Sequence, residues 1–395
     1  MTSITSKKTV SGPADDIVAA VENVLGAARE DFVPLHAPLF RGREKDYVLD
    51  CIETGWVSSV GAYVDRFEKD LADYLGVKRA VAVVNGTAAL HLCLIVCGVK
   101  SGDEVLCPAL TFVATANAIS YTEAVPHFCD VSDKNMGLCP EKLAAHLEHI
   151  AEIRDGVCIN KQTGRVIRAV VPMHCYGHPV DMDSLCRVAA QYHIAVIEDA
   201  AESLGSLYNG KHTGHMGRCA AISFNGNKII TTGGGGAVVT NDEALADMVK
   251  HLSTTAKVSK DGFFMHDRVG YNYRMPNINA ALGCAQLEAL PEYIAAKRKL
   301  AQRYADAFAD MDGVSLFHEE AHTQSNYWLC AIRFEDPARM AAALDALNAA
   351  GLMSRPLWEL MHTLPMYGDC PRADVSVAQD MAQRILALPS SVCLV

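Results

Sequence analysis

Short apolar segments alternate with helical patterns from residue 80 onward, and this alternation is the strongest constraint on the fold. The expected strands cover residues 80–84, 104–107, 125–128, 168–172 and 193–197. Strands that are apolar on both faces are typical of parallel sheets covered by helices on both sides. We therefore predict an α/β fold built on a mostly parallel central sheet.

The alternation breaks between residues 220 and 240. A run that reads Ala-Ala-Ile-Ser-Phe-Asn-Gly-Asn-Lys ends at Lys228, and four consecutive glycines follow at 233–236. The next apolar run, 237–239, comes too soon for a crossover helix, which predicts one strand antiparallel to its predecessor. The glycines fit a tight return, free of side chains, between these two strands. Lys228, which ends the polar turn, is the candidate chemical centre.

The chain divides into three expected regions, and its 395 residues are enough for two domains. Residues 1–33 are expected to form an N-terminal arm with a short amphipathic surface helix. Residues 34–275 form the large domain that carries Lys228, and residues 276–395 form a smaller C-terminal α+β domain. The helical pattern at 279–308 contains Pro291, which is expected to interrupt it.

Composition and charge argue against several functions. The formal net charge is 35 − 46 = −11, whereas nucleic-acid binding needs a positive field. No signal peptide is visible, and no run approaches the ~18 apolar residues of a membrane span. The 14 cysteines include no CxxC pair and several lie in apolar runs, as expected in a reducing compartment. We expect a cytoplasmic protein without a membrane or nucleic-acid partner.

Asp199 is the first candidate beside Lys228. It ends an expected parallel strand, 29 residues before the lysine, and ligands of open α/β sheets bind at such strand ends. A carboxylate at that place can pair with a cationic ring nitrogen. The alternative is a helix N-cap for residues 200–204.

A second group of candidates suits a flat phosphorylated ligand. The turn Gly86-Thr87-Ala88 leads from a strand into a helix, whose first N–H groups can bind an anion; an ordinary strand–helix turn is the alternative. Ser223, five residues before Lys228, can add a hydroxyl to a phosphate site. Phe112 opens another helix and can stack on a flat ring, with core packing as the alternative.

These groups together match the needs of pyridoxal 5′-phosphate. A lysine amine forms a Schiff base with the cofactor's aldehyde. An acid keeps the pyridine nitrogen protonated, so that the ring acts as an electron sink. Each feature is weak alone, and their occurrence together in this order is a much stronger signal.

Several motifs make the chain resemble a known family. They are the segments at 85–90, 108–115, 198–205, 223–228 and 270–275, which read NGTAAL, PALTFVAT, EDAAESLG, SFNGNK and GYNYRM. Over roughly residues 33 to 395 the chain resembles the DegT/DnrJ/EryC1/StrS sugar aminotransferases. The resemblance implies the aspartate aminotransferase-like architecture of fold type I enzymes and pyridoxal 5′-phosphate as cofactor.

The resemblance also implies roles for individual residues. Lys228 would carry the cofactor and shuttle protons, Asp199 would pair with the pyridinium nitrogen, and Phe112 would stack on the ring. The phosphate would be held by Gly86, Thr87 and Ser223, and Ala88 would be a further cofactor contact. Asn272 would reach the phosphate of the neighbouring subunit, so that a homodimer would share its active sites.

Glu202 departs from the family's common pattern. Many members have Gln or His three residues after the aspartate, near the cofactor's phenolic oxygen, and this chain has Glu202 there. A carboxylate would repel a phenolate unless it is protonated or turned away. Glu202 is therefore an expected cofactor contact whose role the sequence leaves open.

A subgroup resemblance suggests the substrate. The N-terminal arm and the stretches at 158–164 and 354–362 resemble the LegC-like branch. That branch implies amino transfer from glutamate to C4 of a UDP-4-keto-6-deoxy-N-acetylhexosamine, in bacterial surface-glycan biosynthesis. A GDP- or dTDP-linked sugar is the alternative. Sugar dehydration is disfavoured because relatives with that activity replace the lysine by histidine. A non-catalytic scaffold would not need Lys228, Asp199 and Ser223 together.

Four further side chains and one short motif have two interpretations each. The motif His174-Cys175-Tyr176-Gly177-His178 contains possible metal ligands but lacks further spaced ones, so no metal is expected. Arg268 and Arg274 could meet diphosphate oxygens or form surface ion pairs. Arg355 and His362 could face a sugar nucleotide or lie away from it.

Overall fold

The computed structural model describes residues 14–26, 32–260 and 263–395. The helices are α1 Asp15–Leu25, α2 Glu44–Thr54, α3 Ala62–Leu75, α4 Gly86–Val96, α5 Val113–Tyr121, α6 Pro140–Ile150, α7 Met182–Gln191, α8 Glu243–Ser253, α9 Asn277–Phe308, α10 Pro337–Ala349 and α11 Ser376–Ala382. The strands are β1 Arg79–Val83, β2 Glu104–Pro108, β3 Val125–Cys129, β4 Ala151–Arg154, β5 Val157–Asn160, β6 Ile167–Val170, β7 Ala195–Asp199, β8 Leu207–Tyr208, β9 Lys211–His212, β10 Cys219–Ser223, β11 Gly236–Thr240, β12 Lys257–Lys260, β13 Phe263–His266, β14 Val314–Leu316, β15 Thr323–Gln324, β16 Ala331–Phe334, β17 Arg355–Pro356 and β18 Ile385–Ala387.

The central sheet has seven strands in the order β1-β11-β10-β7-β6-β2-β3. Strand β11 runs antiparallel to β1 and β10, and the other neighbours are parallel. This confirms a mostly parallel sheet with one antiparallel strand. The carboxyl ends of β1, β7 and β10 therefore meet at one edge.

Both faces of the sheet are covered, which is why its strands are apolar throughout. In β2, Val105 and Cys107 belong to one hydrophobic core and Leu106 belongs to another. Successive strand residues point to opposite faces, so these two cores lie on the two sides of the sheet. Helices α4 and α5 contribute to the first core, and α6 and α7 contribute to the second.

A second, smaller sheet follows in the C-terminal part. Its order is β14-β16-β18-β17 with antiparallel neighbours. Helix α1 is amphipathic as predicted, and its buried Ile17 and Val21 share a core with Leu300 and Tyr304 of α9. Residues 1–13 and 27–31 of the predicted arm lie outside the described residues. The region boundaries at 33/34 and 275/276 stay predictions.

Helix α9 is continuous, so the expectation that Pro291 interrupts it is wrong. Proline removes one N–H donor and crowds the preceding turn. Packing on both sides of Pro291 outweighs this cost, because Leu290 lies in the core of the large sheet and Leu300 lies in the core of the small one.

Two hairpins, β4–β5 and β12–β13, were not predicted. Each of their strands has only four residues and includes polar side chains, so neither gives a clear apolar alternation. Within the described ranges, no helix is both long and apolar enough to cross a bilayer.

Candidate active site

A cavity of about 660 Å³ opens at the carboxyl ends of β7 and β10. Its wall includes most of the residues that the sequence singled out: Gly86, Thr87, Phe112, Asp199, Glu202, Ser223 and Lys228. They come from four separate stretches of chain, and the sheet order brings them together because β7 and β10 are parallel neighbours. This matches the position of ligand sites in open α/β sheets.

Lys228 lies in the loop between β10 and β11. The loop is closed at its base, where the N–H of Phe224 donates to the carbonyl of Gly235 at 2.8 Å. The lysine side chain is only 11% exposed. Its Nζ donates to Oε1 of Glu202 at 3.1 Å and lies 3.9 Å from the ring centroid of Trp328. The amine is therefore held between a carboxylate and an aromatic face.

Glu202 is buried and faces Lys228. Its Oε2 accepts a hydrogen bond from the N–H of Tyr176 at 2.9 Å, and Tyr176 has a left-handed backbone with φ of 54°. Non-glycine residues in this conformation are strained and cluster at functional sites. Burial raises the pKa of Glu202, and the charge of Lys228 opposes that rise.

Asp199 is buried at the end of β7. Its Oδ2 accepts from the hydroxyl of Thr115 at 2.7 Å, and its Oδ1 accepts from the N–H of Ala201 at 3.2 Å. Burial raises the pKa of Asp199, whereas these two hydrogen bonds lower it. Residues 200–204 form turns and no helix, so the helix-cap alternative is wrong.

The turn before α4 forms a cup on the cavity wall. Helix α4 begins at Gly86, and the side chain of Asn85 caps it by accepting from the N–H of Ala88 at 2.7 Å. Among the described residues Ala88 does not line the cavity, and its N–H is already bonded to Asn85. The N–H groups of Gly86 and Thr87 are in the first turn, where a helix supplies no carbonyl partner. This leaves two donors at a helix N-terminus beside Ser223.

Two glycines bring the backbone segments of this cup together. A Cβ atom at Gly86 would lie 2.9 Å from Cβ of Ser223, and one at Gly236 would lie 2.5 Å from the carbonyl of Asn85. The last glycine of the 233–236 run thus lets β11 pack directly on the Asn85–Gly86 turn. The glycine run allows β11 to return close behind β10, as predicted, and its last glycine also allows the close packing that forms the cup.

Aromatic side chains form the remaining walls. Phe112 is 47% exposed, so the alternative that it packs in the core is wrong. Its ring meets Trp358 edge-on at 6.2 Å, and Trp358 meets Tyr176 at 5.3 Å. Trp328 was not identified from the sequence, and Tyr176 and Trp358 were included only in the stretches at 174–178 and 354–362 without a role in the cavity wall. Isolated aromatics outside regular helices and strands carry no periodic signal. Thr115 was also missed, although a polar residue on the first turn of a mostly apolar helix was a usable clue.

Asn272 does not line this cavity. It lies in a separate groove of about 450 Å³, together with Lys257 and Arg274. The structure therefore does not bring Asn272 to Lys228 within one chain. Its expected role in a neighbouring subunit stays a prediction.

The motif at residues 174–178, which contains possible metal ligands, has a structural role. Nε2 of His174 donates to Oε2 of Glu198 at 3.1 Å, and Nδ1 accepts from the N–H of Val180 at 3.1 Å. Burial raises the pKa of Glu198, but the hydrogen bonds from His174 and from backbone N–H groups lower it overall. This buried pair anchors the strand end that carries Asp199. His178 is buried between the rings of Phe317 and Tyr327.

The arginine candidates separate into two groups. Arg274 pairs with Asp65 and Glu68, and Arg268 pairs with Asp267, all outside the cavity. Arg355 lines the cavity, where its guanidinium can meet an anionic ligand. His362 is absent from the cavity lining in the described part of the chain.

The fold and the lysine-centred cavity define an α/β enzyme of the aspartate aminotransferase type. The model of the DegT/DnrJ/EryC1/StrS aminotransferase family matches residues 39–394, and the chain belongs to that family. Among curated relatives, EpsN of Bacillus subtilis (strain 168), named as a pyridoxal phosphate-dependent aminotransferase, is 39% identical over 90% of both chains. GDP-perosamine synthase of Caulobacter vibrioides is 38% identical over 91% of this chain and 93% of the relative.

Solved structures agree with this assignment. The aminotransferase TlmJ from Streptoalloteichus hindustanus superposes with a TM-score of 0.82 at 26% identity, covering 91% of this chain and 93% of TlmJ. A DegT DnrJ EryC1 StrS aminotransferase from Brucella abortus gives 0.80 at 28% identity, covering 89% and 90% of the two chains. The predicted family and architecture are confirmed.

Proposed function

We propose that this protein transfers an amino group from glutamate to C4 of a 4-keto-6-deoxy sugar linked to a nucleoside diphosphate. The coarser activity, that of a sugar aminotransferase in nucleotide-sugar metabolism, follows from its family and relatives. The observation that carries the amino-transfer chemistry is the buried Lys228 amine, which faces one cavity together with Asp199 and the α4 cup.

Pyridoxal 5′-phosphate is the cofactor, and the cavity fits it. The N–H groups of Gly86 and Thr87 and the hydroxyl of Ser223 would hold the phosphate. Asp199 would pair with the ring nitrogen, Phe112 would cover the ring, and Lys228 would bind the aldehyde carbon. When bound, the cofactor supplies an electron sink for the carbanion that forms at the donor's α-carbon.

The chain's own residues supply the proton transfers and the enclosure. Nζ of Lys228 would take the proton from the α-carbon of the donor and deliver it to the C4′ carbon of the cofactor, as one group acting first as base and then as acid. Glu202, at 3.1 Å, orients this amine. The rings of Tyr176, Trp328 and Trp358 line the same cavity and exclude water, which strengthens the charge interactions within it.

The substrate proposal rests on the cavity mouth and on the relatives. Arg355 lines the cavity wall and would bind diphosphate oxygens there. A UDP-4-keto-6-deoxy-N-acetylhexosamine is the first candidate, from the LegC-like features of the sequence. A GDP-linked sugar is the second, because relatives named GDP-perosamine synthase are 36–38% identical to this chain.

The test is a substrate screen with the holoenzyme. UDP-, GDP- and dTDP-linked 4-keto-6-deoxy sugars are offered with glutamate, and NMR of the product identifies the new C–N bond and its configuration. Glutamate alone should convert the visible band of the lysine-bound cofactor to the pyridoxamine phosphate spectrum. Lys228→Ala should abolish both reactions, whereas Lys69→Ala, an exposed lysine paired with Asp73, should leave them unchanged.

Two results would contradict the proposal. A normal visible band that glutamate does not convert would favour a non-catalytic protein or another chemistry. A product that has lost a hydroxyl without gaining nitrogen would indicate sugar dehydration.

A further inference from the structure

Trp328 contacts the lysine loop in two ways. The face of its ring lies 3.9 Å from Nζ of Lys228. The edge of the same indole donates from Nε1 to the carbonyl of Asn227 at 2.7 Å, and Asn227 directly precedes the lysine. One buried side chain therefore touches both the amine and the backbone that carries it.

Trp328 is itself fixed relative to Glu202. The side-chain oxygen of Asn326 accepts from the N–H of Trp328 at 2.8 Å. The amide nitrogen of the same side chain donates to the carbonyls of Glu202 at 2.9 Å and Leu204 at 3.0 Å. Asn326 is fully buried. It joins the two segments that contact the amine, and Tyr176 links them as well, since its N–H donates to Glu202 and its ring meets that of Trp328 at 6.0 Å.

We propose that Trp328 is a positioning residue for Lys228, which it holds at the point where the lysine binds the cofactor. The proposal rests on the proposed function of Lys228. A lysine side chain has four rotatable bonds, and one carboxylate contact leaves it free to swing. An aromatic face attracts the ammonium form without forming a directional bond, so the amine can leave it when the cofactor arrives. The indole N–H of Trp328 holds the backbone next to Lys228, through its hydrogen bond to the carbonyl of Asn227.

This arrangement favours one covalent step. As the neutral amine, Nζ of Lys228 bonds to the aldehyde carbon of pyridoxal 5′-phosphate, the carbon–oxygen double bond breaks, and the oxygen leaves as water with the two protons of the amine. Pyridoxamine 5′-phosphate has the same ring and phosphate but no aldehyde, so it occupies the site without this step. A change that only misplaces the lysine should therefore affect pyridoxal 5′-phosphate attachment alone, whereas a change in cavity shape should affect the binding of both compounds.

The experiment compares both compounds on full-length enzyme freed of cofactor. The variants are Trp328→Leu, which removes the ring and the N–H, and Trp328→Phe, which keeps an aromatic face. Trp358→Leu is the matched control for cavity shape, since Trp358 lines the same cavity and, like Trp328, meets the ring of Tyr176, but among the described residues only Trp328 contacts the lysine loop. The readouts are the rate of cofactor attachment, followed by the visible band and borohydride trapping, and the Kd of pyridoxamine 5′-phosphate.

We expect Trp328→Leu to slow attachment about tenfold and to change the Kd of pyridoxamine 5′-phosphate less than about twofold. Trp328→Phe should recover part of the rate, because the aromatic face returns without the bond to Asn227. Equal weakening of both compounds in Trp328→Leu, or an equal slowing in Trp358→Leu, would show that Trp328 only shapes the cavity. Wild-type enzyme that takes up neither compound contradicts the proposed function itself.

Discussion

The amine of Lys228 and the carboxylate of Glu202 form a buried ion pair, with Nζ 3.1 Å from Oε1. The sequence left open whether Glu202 is protonated or turned away from the cofactor. In the structure it faces the lysine and accepts a further hydrogen bond from Tyr176. Removing one partner of such a pair leaves an uncompensated charge in a dry site, which is far more costly than removing both.

The first prediction concerns the pH dependence of stability in Lys228→Met. Burial raises the pKa of Glu202 above its ordinary 4.5, and Lys228 opposes the rise. Without the lysine the folded-state pKa rises further, while the unfolded value stays the same. A raised folded pKa favours folding below the unfolded pKa, and this contribution is lost as pH rises through the folded pKa. Lys228→Met should therefore lose stability toward neutral pH, by about 1.4 kcal/mol for each unit that its pKa is raised.

Urea unfolding of the cofactor-free proteins across about pH 5 to 8 checks this. The double variant Lys228→Met/Glu202→Gln has no carboxylate at this place and is the control. Its stability relative to wild type should vary with pH less than that of the single variant, because only the smaller effect of Lys228 on the pKa of Asp199 remains. Parallel curves for the single and double variants would show that Glu202 does not carry the effect.

The second prediction concerns Asp199 and its partner Thr115. The Thr115 hydroxyl lowers the pKa of Asp199, against the effect of burial. Thr115→Val removes that hydroxyl, so the pKa rises and the carboxylate is lost at a higher pH. The acid limb of kcat/KM should move upward by about one pH unit. Thr115→Ser keeps a hydroxyl and should retain the wild-type profile; superimposable profiles of the Val and Ser variants would contradict the role.

The third prediction compares two glycines of the same run. A Cβ atom at Gly236 would lie 2.5 Å from backbone atoms of Asn85, whereas one at Gly234 would meet nothing within 4 Å. Backbone atoms cannot move aside cheaply, so Gly236→Ala should cost about 2 kcal/mol or more of unfolding free energy and weaken cofactor retention. Gly234→Ala should stay within about 0.5 kcal/mol of wild type. Urea unfolding and cofactor content measure both effects, and equal stabilities would contradict the close approach.

The fourth prediction tests whether subunits share their active sites. Asn272 lies in a groove apart from the Lys228 cavity of its own chain. If it reaches a neighbouring subunit, a mixed dimer of Lys228→Ala and Asn272→Ala chains contains one site with both native residues. Activity should then return to about half of the wild-type value per mixed dimer, since one of its two sites is intact. The measurement is the aminotransferase activity of the two variants after they are mixed and allowed to exchange subunits. An activity that does not recover would indicate that both residues belong to the site of one chain.

The sequence alone was enough for the α/β architecture, and it singled out side chains that lie around one cavity in the structure. Strand and helix periods are local, and the sites of open sheets lie at strand ends, so Lys228, Asp199, Ser223 and the α4 turn could be predicted from their positions along the chain. The break at residues 220–240 likewise predicted the antiparallel strand β11.

Only the tertiary structure decided which side chains surround the amine. Trp328 is 100 residues from Lys228 in sequence and meets it because β7, β10 and the segment before β16 converge at one cavity. The sequence showed that Glu202 departs from the family's common pattern, but it did not show which way the side chain faces. It could not tell that Phe112 is exposed or that α9 continues through Pro291. These outcomes depend on packing between distant segments, and a local pattern carries no information about which of them touch.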